Sequence, residues 1–152
     1  MYNIYYKDIN EITKKEKEEI NKFILKNFKI SRIKFYEKII YYKDNNKIIG
    51  FAGLYYIDKY ISINQLCIDY NYRNKGLATS ILNLISDIYN TTSIILYIDK
   101  NKENTNYLFN FYIKRGFKEI DYLKSFNLSY ERDIEYLMIK EYQLNQIHLH
   151  FS

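Results

Sequence analysis

The residues with the clearest chemical capacity stand together at Arg73-Asn74-Lys75-Gly76-Leu77-Ala78. An apolar run precedes them, Leu66, Cys67 and Ile68, which reads as a buried strand, and a polar, basic loop from Asp69 to Lys75 connects the two. After Gly76, apolar residues at 77, 78, 81, 82, 84, 85 and 88 mark one broad face of an amphipathic helix. A strand, a basic glycine-containing loop and a helix start together make an anion site. The first amides of a helix have no internal partner, and the aligned peptide dipoles place partial positive charge there. Gly76 has no Cβ to obstruct an approaching phosphate, and the small Ala78 keeps the first turn open. Arg73 and Lys75 add full charges beside it. The expected guest is a phosphate group.

Other chemistries are poorly supplied. Cys67 as a nucleophile would need a histidine, and the two in the chain, His148 and His150, lie in the tail. Cys67 reads instead as a small buried apolar residue. Two histidines without a third or fourth ligand are not a metal site. No nucleoside-triphosphate motif and no paired catalytic carboxylates are evident.

The elements that must position the loop can be read in order. Residues 2–6 are rich in strand formers and predict an edge strand. Thr13 and Glu16 have capping-box spacing, and Ile20, Phe23, Ile24 and Phe28 recur at helical intervals, so a helix is expected over 12–28. Residues 30–37 are open to a short second helix. Strand-like runs at 38–43, 47–57 and 60–69, separated by Asp44-Asn45-Asn46 and Asp58-Lys59, predict an antiparallel meander. Gly50 and Gly53 within it point to a bulge or a close approach of backbone. The motif helix is expected to reach about residue 89, followed by a buried strand at 93–99 that pairs in parallel with 60–69 through a crossover. A helix over 105–115 carries Leu108, Phe111 and Tyr112 on one face, with Gly116 as its left-handed cap. Residues 117–126 and 133–142 read as a final hairpin, although periodicity alone also permits a helix over 131–144. The tail, 145–152, carries no clear signal and is open to disorder.

The stretch Arg73-Asn74-Lys75-Gly76-Leu77-Ala78, introduced by Ile68-Asp69 and Tyr72, resembles the cofactor-binding motif of the GNAT superfamily of N-acetyltransferases. Phe111-Tyr112-x-x-x-Gly116-Phe117 is similar to a second family element, and the two stand in the family's order. The resemblance covers roughly residues 39–140. It implies an α+β (mixed α/β) fold: a mostly antiparallel twisted sheet of six to seven strands, flanked by about four helices and splayed at the cofactor. It implies one domain over 1–152, and acetyl-coenzyme A as acetyl donor to a primary amine of a small molecule or peptide. The pantetheine arm would pair with Leu66, Cys67 and Ile68, and the pyrophosphate would lie on Arg73, Asn74, Lys75, Gly76, Leu77 and Ala78. Tyr112 would be the catalytic proton donor to the leaving thiolate, and the Ile68 amide the oxyanion donor.

Two departures from the family pattern matter. Where many members place a cofactor-contacting asparagine, seven residues before the tyrosine, this chain has Thr105, flanked by Asn104 and Asn106. Either neighbour could take that role. The segment leading to Tyr112 is also about three residues longer than usual. Some relatives carry a glutamate base on the strand before the second helix, at a place matching Tyr97 here; Ser62, Asn64 and Gln65 are not bases. Deprotonating a lysine amine at neutral pH costs about 4.6 kcal/mol, against about 1 for an α-amine. An amine of low pKa, or a proton relayed by water, is the acceptor chemistry this favours.

Composition agrees with a soluble cytoplasmic protein. One cysteine excludes an internal disulfide, and neither a long apolar span nor a charged-then-apolar leader is present, so no membrane partner is expected. The net charge of +5 could serve nucleic acid, but the basic residues alternate with Glu and Asp as on a solvated surface. With heavy use of Lys, Asn, Ile and Tyr and neither Pro nor Trp, an AT-rich genome accounts for the balance better. A non-catalytic acyl-coenzyme A-binding or regulatory domain is the main alternative, a basic nucleic-acid-binding protein the lesser one. A homodimer is compatible with either cofactor reading.

Overall fold

In a computed structural model, which describes residues 2–28, 36–120 and 135–142, the strand-forming runs make a single mixed sheet. β1 (Tyr2–Asp8), β2 (Lys38–Asp44), β3 (Lys47–Ile57) and β4 (Tyr60–Ile68) pair antiparallel in succession. β5 (Ile94–Asp99) runs parallel to β4, and β7 (Glu135–Lys140) inserts between β5 and the short β6 (Lys118–Glu119). The order is β1-β2-β3-β4-β5-β7-β6, so β1 is an edge strand as its composition predicts. The helix that periodicity permits over 131–144 is not formed at 135–140, where Glu-Tyr-Leu-Met-Ile-Lys pairs with β5. Most of the strand expected over 117–126, the second helix expected within 30–37 and the tail lie outside the described residues, which contain three α-helices rather than about four.

Both faces of the sheet are covered, which is why its central strands are apolar on both sides. On one face α1 (Lys14–Phe28) packs Ile20, Phe23 and Ile24 on Ile39, Tyr41, Ile48 and Phe51. On the other, α2 (Leu77–Ile88) buries Leu77, Ile81, Leu82 and Ile85 against Ile40, Ile49, Ile61 and Ile63, and α3 (Thr105–Lys114) adds Tyr112. Ile88, the last residue of the predicted apolar face, remains 36% exposed. The capping box forms as read: Glu16 N–H donates to Thr13 Oγ1 at 3.1 Å and Thr13 N–H to Glu16 Oε1 at 3.3 Å.

Two irregularities shape the sheet near the motif. Phe51 pairs with Cys67 but Gly53 with Asn64, so β4 carries an extra residue there, and Gln65 in this bulge has φ 55°. Parallel pairing of β4 with β5 is confined to Ile61–Ile94 and Ser62–Ile95. Beyond Ser62 the two strands part, and the gap between them opens at their C-terminal ends, where the motif loop begins.

Candidate active site

The gap leads into a cleft of about 820 Å³ bounded by the end of β4, the motif turn, the start of α2, the loop before α3 and one face of α3. The loop is folded tightly before it reaches Gly76. Asp69, only 2% exposed, accepts a hydrogen bond from the Asn71 amide at 3.0 Å and caps a 3-10 turn over Tyr70–Tyr72. Burial alone would raise its carboxyl, but the Asn71 N–H and the Lys26 ammonium 3.4 Å away outweigh it and hold the group below the usual carboxylate range.

Asn74 and Gly76 then adopt left-handed φ values of 64° and 79°. The first helical hydrogen bond runs from Ser80 N–H to the Gly76 carbonyl. The N–H groups of Leu77, Ala78 and Thr79 are therefore left without an internal partner among the described residues. A Cβ built on Gly76 would meet nothing within 4 Å, so the space in front of these donors is open. The left-handed conformation favours glycine here, and the open space leaves room for an anion.

Ten of the residues picked out from the sequence line this cleft: Leu66, Cys67, Ile68, Arg73, Asn74, Gly76, Leu77, Ala78, Asn104 and Tyr112. Lys75 does not. Its ammonium turns outward to β1, 3.4 Å from the Tyr2 hydroxyl and 5.5 Å from the Tyr72 ring centroid. Arg73 turns back on β4, its Nε donating to the Ile68 carbonyl at 3.0 Å. The Asp69 N–H bonds the Ile49 carbonyl on β3 at 2.7 Å. Because backbone groups alternate between the two edges of a strand, the Ile68 N–H faces the other way, into the gap.

At position 105 the structure explains the departure. Thr105 is buried, with its hydroxyl oxygen 2.6 Å from the Asp99 carbonyl and 2.7 Å from that of Lys102, and it accepts from the Lys102 N–H at 3.2 Å. It ties the loop to the end of β5. Asn104, one residue earlier, lines the cleft; Asn106 is exposed and does not.

Tyr112 is positioned by the end of its helix. The Phe117 N–H bonds the Tyr112 carbonyl and the Gly116 N–H that of Ile113, both at 3.1 Å, with Gly116 at φ 93°. This is the Schellman arrangement, completed by an edge-to-face contact of the Tyr112 and Phe117 rings. The phenol makes no hydrogen bond among the described residues. Burial pushes it well above the usual tyrosine range, against a smaller opposing effect of the Arg115 guanidinium. Burial also raises the Cys67 thiol, with Arg73 opposing, which suits a packed residue rather than a nucleophile.

Arg115 was not singled out from the sequence. It joins the two helices that bound the cleft, its Nε donating to Thr79 Oγ1 at 3.0 Å and a terminal nitrogen to the Phe111 carbonyl at 2.9 Å. Its place three residues after Tyr112, at the C-terminal cap of α3, is the available signal. No Asp, Glu or His lines the cleft among the described residues.

A parted strand pair thus opens onto unpartnered helix amides and a buried phenol. Residues 36–119 match the family model described as an acetyltransferase (GNAT) domain, and the chain belongs to that family. No match is found among curated protein sequences. Among solved structures, Escherichia coli ElaA is similar with 13% identity and a TM-score of 0.71, over 93% of this chain and 100% of that one. Arabidopsis thaliana Naa50, in complex with the bisubstrate analogue CoA-Ac-MVNAL, gives 17% and 0.67 over 91% and 98%. The PaiA N-acetyltransferase of Thermoplasma acidophilum, in complex with coenzyme A, gives 21% and 0.55 over 68% and 60%. These likenesses are of fold.

Proposed function

We propose that the chain is an acetyl-coenzyme A-dependent N-acetyltransferase that acetylates a primary amine by direct attack in a complex holding both substrates. The observation that carries this reading is the continuity of the β4–β5 gap with the open donor turn at Gly76 and with Tyr112. Neighbours of the same fold are described as complexes with coenzyme A or a coenzyme A bisubstrate analogue.

The residues present fit such a donor. The amides of Leu77, Ala78 and Thr79 would hold the diphosphate, and the edge of β4 at Leu66–Ile68 would pair with the pantetheine arm. Asn104 and Arg73 would flank them. When bound, acetyl-coenzyme A supplies an acyl group activated by its thioester. The chain's part is to hold that group and an amine at reacting distance, which converts a bimolecular encounter into an intramolecular one. The Ile68 N–H, facing the gap, would donate to the carbonyl oxygen as negative charge grows there.

Tyr112 would keep its proton at the phenol oxygen and donate a hydrogen bond to the departing sulfur. Its raised pKa bears on that role. Full transfer from a phenol above 10 to a thiolate near 8.5 is uphill by roughly 2 kcal/mol or more. The phenol therefore stabilises the sulfur as a donor, and the proton finally gained comes from the acylated amine. With no carboxylate or histidine lining the cleft among the described residues, the acceptor should be an amine of low pKa, such as an α-amine.

That same lack supports a second reading, a domain that binds acyl-coenzyme A without turnover. Thiol release from acetyl-coenzyme A, measured over polyamines, amino sugars, amino acids and peptides, tests between them. Release with an α-amine substrate is the expected result; silence across the panel, with a melting shift equivalent to about 2.7 kcal/mol at a hundred times Kd, would favour the second. No melting shift would remove both.

A further inference from the structure

β1 pairs with β2 from Tyr2 to Asp8 without a bulge, and its other edge has no partner among the described residues. Along that edge alternate residues turn their N–H and C=O groups outward, as a template for a further strand. We propose that the edge pairs antiparallel with the β1 edge of a second copy of this chain, which joins two seven-stranded sheets across a two-fold axis. The pairing holds whether or not the cleft takes acetyl-coenzyme A.

Folded proteins blunt a free strand edge with a proline, a bulge or a charge standing in front of it. The run Tyr2-Asn3-Ile4-Tyr5-Tyr6 has none of these. The two charges that follow are drawn back into the fold: Lys7 is bound to Glu16 on α1 and Asp8 to Lys38 on β2, each at 3.0 Å. Tyr2 and Ile4 stand on one face of the strand, 38% and 36% exposed. Their surroundings are ordered. Tyr2 is set edge-to-face on Tyr72 with ring centroids 5.8 Å apart, and the Tyr6 and Tyr89 hydroxyls are hydrogen-bonded at 2.7 Å. The edge therefore presents a fixed, largely uncharged surface.

Charge selects the occupant. At the Tyr2 end the exposed Lys47 and Lys75 hold their ammonium groups 5.6 and 5.5 Å from the Tyr72 ring centroid. Asp44, the carboxylate beside them, accepts from the Tyr72 hydroxyl at 2.8 Å. At the other end Asp8 is followed by the exposed Glu11, and both carboxylates act on Lys38. The strand thus has a basic end and an acidic end, about 20 Å apart at the rise of an extended chain. A two-fold axis brings the same patch of each copy together. In an antiparallel pair it sets the basic end of each copy against the acidic end of the other, with Ile4, Tyr5 and Tyr6 meeting their counterparts at the axis. A parallel pair would set like charge on like. The edge is complementary to itself in one direction only.

Sedimentation velocity from about one to several hundred micromolar protein tests this, since a dimer must build up with concentration. Wild type should pass from the mass of one chain to twice that mass and go no further. Ile4→Lys sets like charges across the axis and should stay monomeric, with the melting temperature of wild type at the lowest concentration. Glu11→Lys and Lys47→Glu, both at exposed positions, should each weaken association about threefold or more, and the double reversal should restore part of the loss. A wild type that is monomeric throughout or grows past the dimer overturns the proposal, and so does an Ile4→Lys variant that associates like wild type. Single reversals that leave association unchanged overturn the antiparallel arrangement, and with it the choice of a second copy as the occupant.

Discussion

Tyr36 occupies the space that a side chain at Gly53 would need, and from there its hydroxyl donates to the carboxamide oxygen of Gln65 in the β4 bulge. The pair links the residue that ends the N-terminal region to the place where the sheet begins to part. Gly53→Ala would drive a methyl into the Tyr36 ring. It should cost about 1–3 kcal/mol in urea unfolding, as overpacking does. Tyr36→Phe keeps the ring and loses only the hydroxyl, and should cost about 1 kcal/mol. A Gly53→Ala variant as stable as wild type would show that the ring is not held there.

Glu16 serves α1 twice. One carboxylate oxygen closes the capping box, and the other accepts from the Tyr41 hydroxyl and from Lys7 at 3.0 Å. The Tyr41 hydroxyl first, then Lys7 and the Thr13 N–H, hold its carboxyl down to about 2 against the opposing effect of burial. A depressed carboxylate stabilises the fold above its unfolded value and loses that contribution on acidification. Glu16→Gln should therefore lower the melting temperature at neutral pH and flatten its decline between pH 4.5 and about 2. Some slope should survive, because Asp8 and Asp69 are also held low. Melts of both proteins across that range decide it, and an unchanged slope would contradict the assignment.

Tyr112→Phe should lower turnover by about tenfold or more while leaving coenzyme A affinity close to wild type, since general acid–base and donor groups act on the reacting state. The paired measurement of kcat and of the titrated Kd separates the two effects. A variant with full kcat would remove the role given to the phenol.

Arg73→Ala should act in the opposite sense, weakening ligand binding more than turnover. It also leaves the Ile68 carbonyl without its 3.0 Å partner, so a modest loss of stability, about 1 kcal/mol, should accompany it. Binding unchanged by the substitution would confine Arg73 to a structural role.

Gly76 allows strain and obstruction to be told apart. Any residue there must adopt φ 79°, at about 1–2 kcal/mol for a side chain with Cβ. Gly76→Ala and Gly76→Leu should thus lose similar stability, as the space is open in both cases. Only the leucine should abolish coenzyme A binding, by filling the front of the donor turn. Equal binding by the two variants would place the anion elsewhere.

Much of this was legible in the sequence because periodicity and turn chemistry act locally. Asn45 and Asp58 take the left-handed conformations expected of their turns, at φ 57° and 52°, and the meander follows. The cap at Gly116 is equally local. Side-chain direction is not. Arg73, Lys75 and Arg115 are alike in charge, yet one bends back to its own strand, one points to β1 and one bridges two helices. What decides among them is the position of Ile68, Tyr2 and Thr79 in space, which no spacing within the motif reveals. Thr105 and its neighbours show the same limit: the flanking asparagines look interchangeable until the Thr105 hydroxyl ties down the loop and turns Asn104 alone toward the cleft.

The short ladder between β4 and β5 has a mechanical result. Two residue pairs join four strands on one side to three on the other, and past them the halves lean on shared side chains without backbone rungs. An extended ligand that bonds the bare edge at Leu66 and Ile68 would act as a substitute strand and lock the halves into one body. Amide exchange along that seam should then slow when coenzyme A is present, at positions the ligand borders as well as at those it merely steadies.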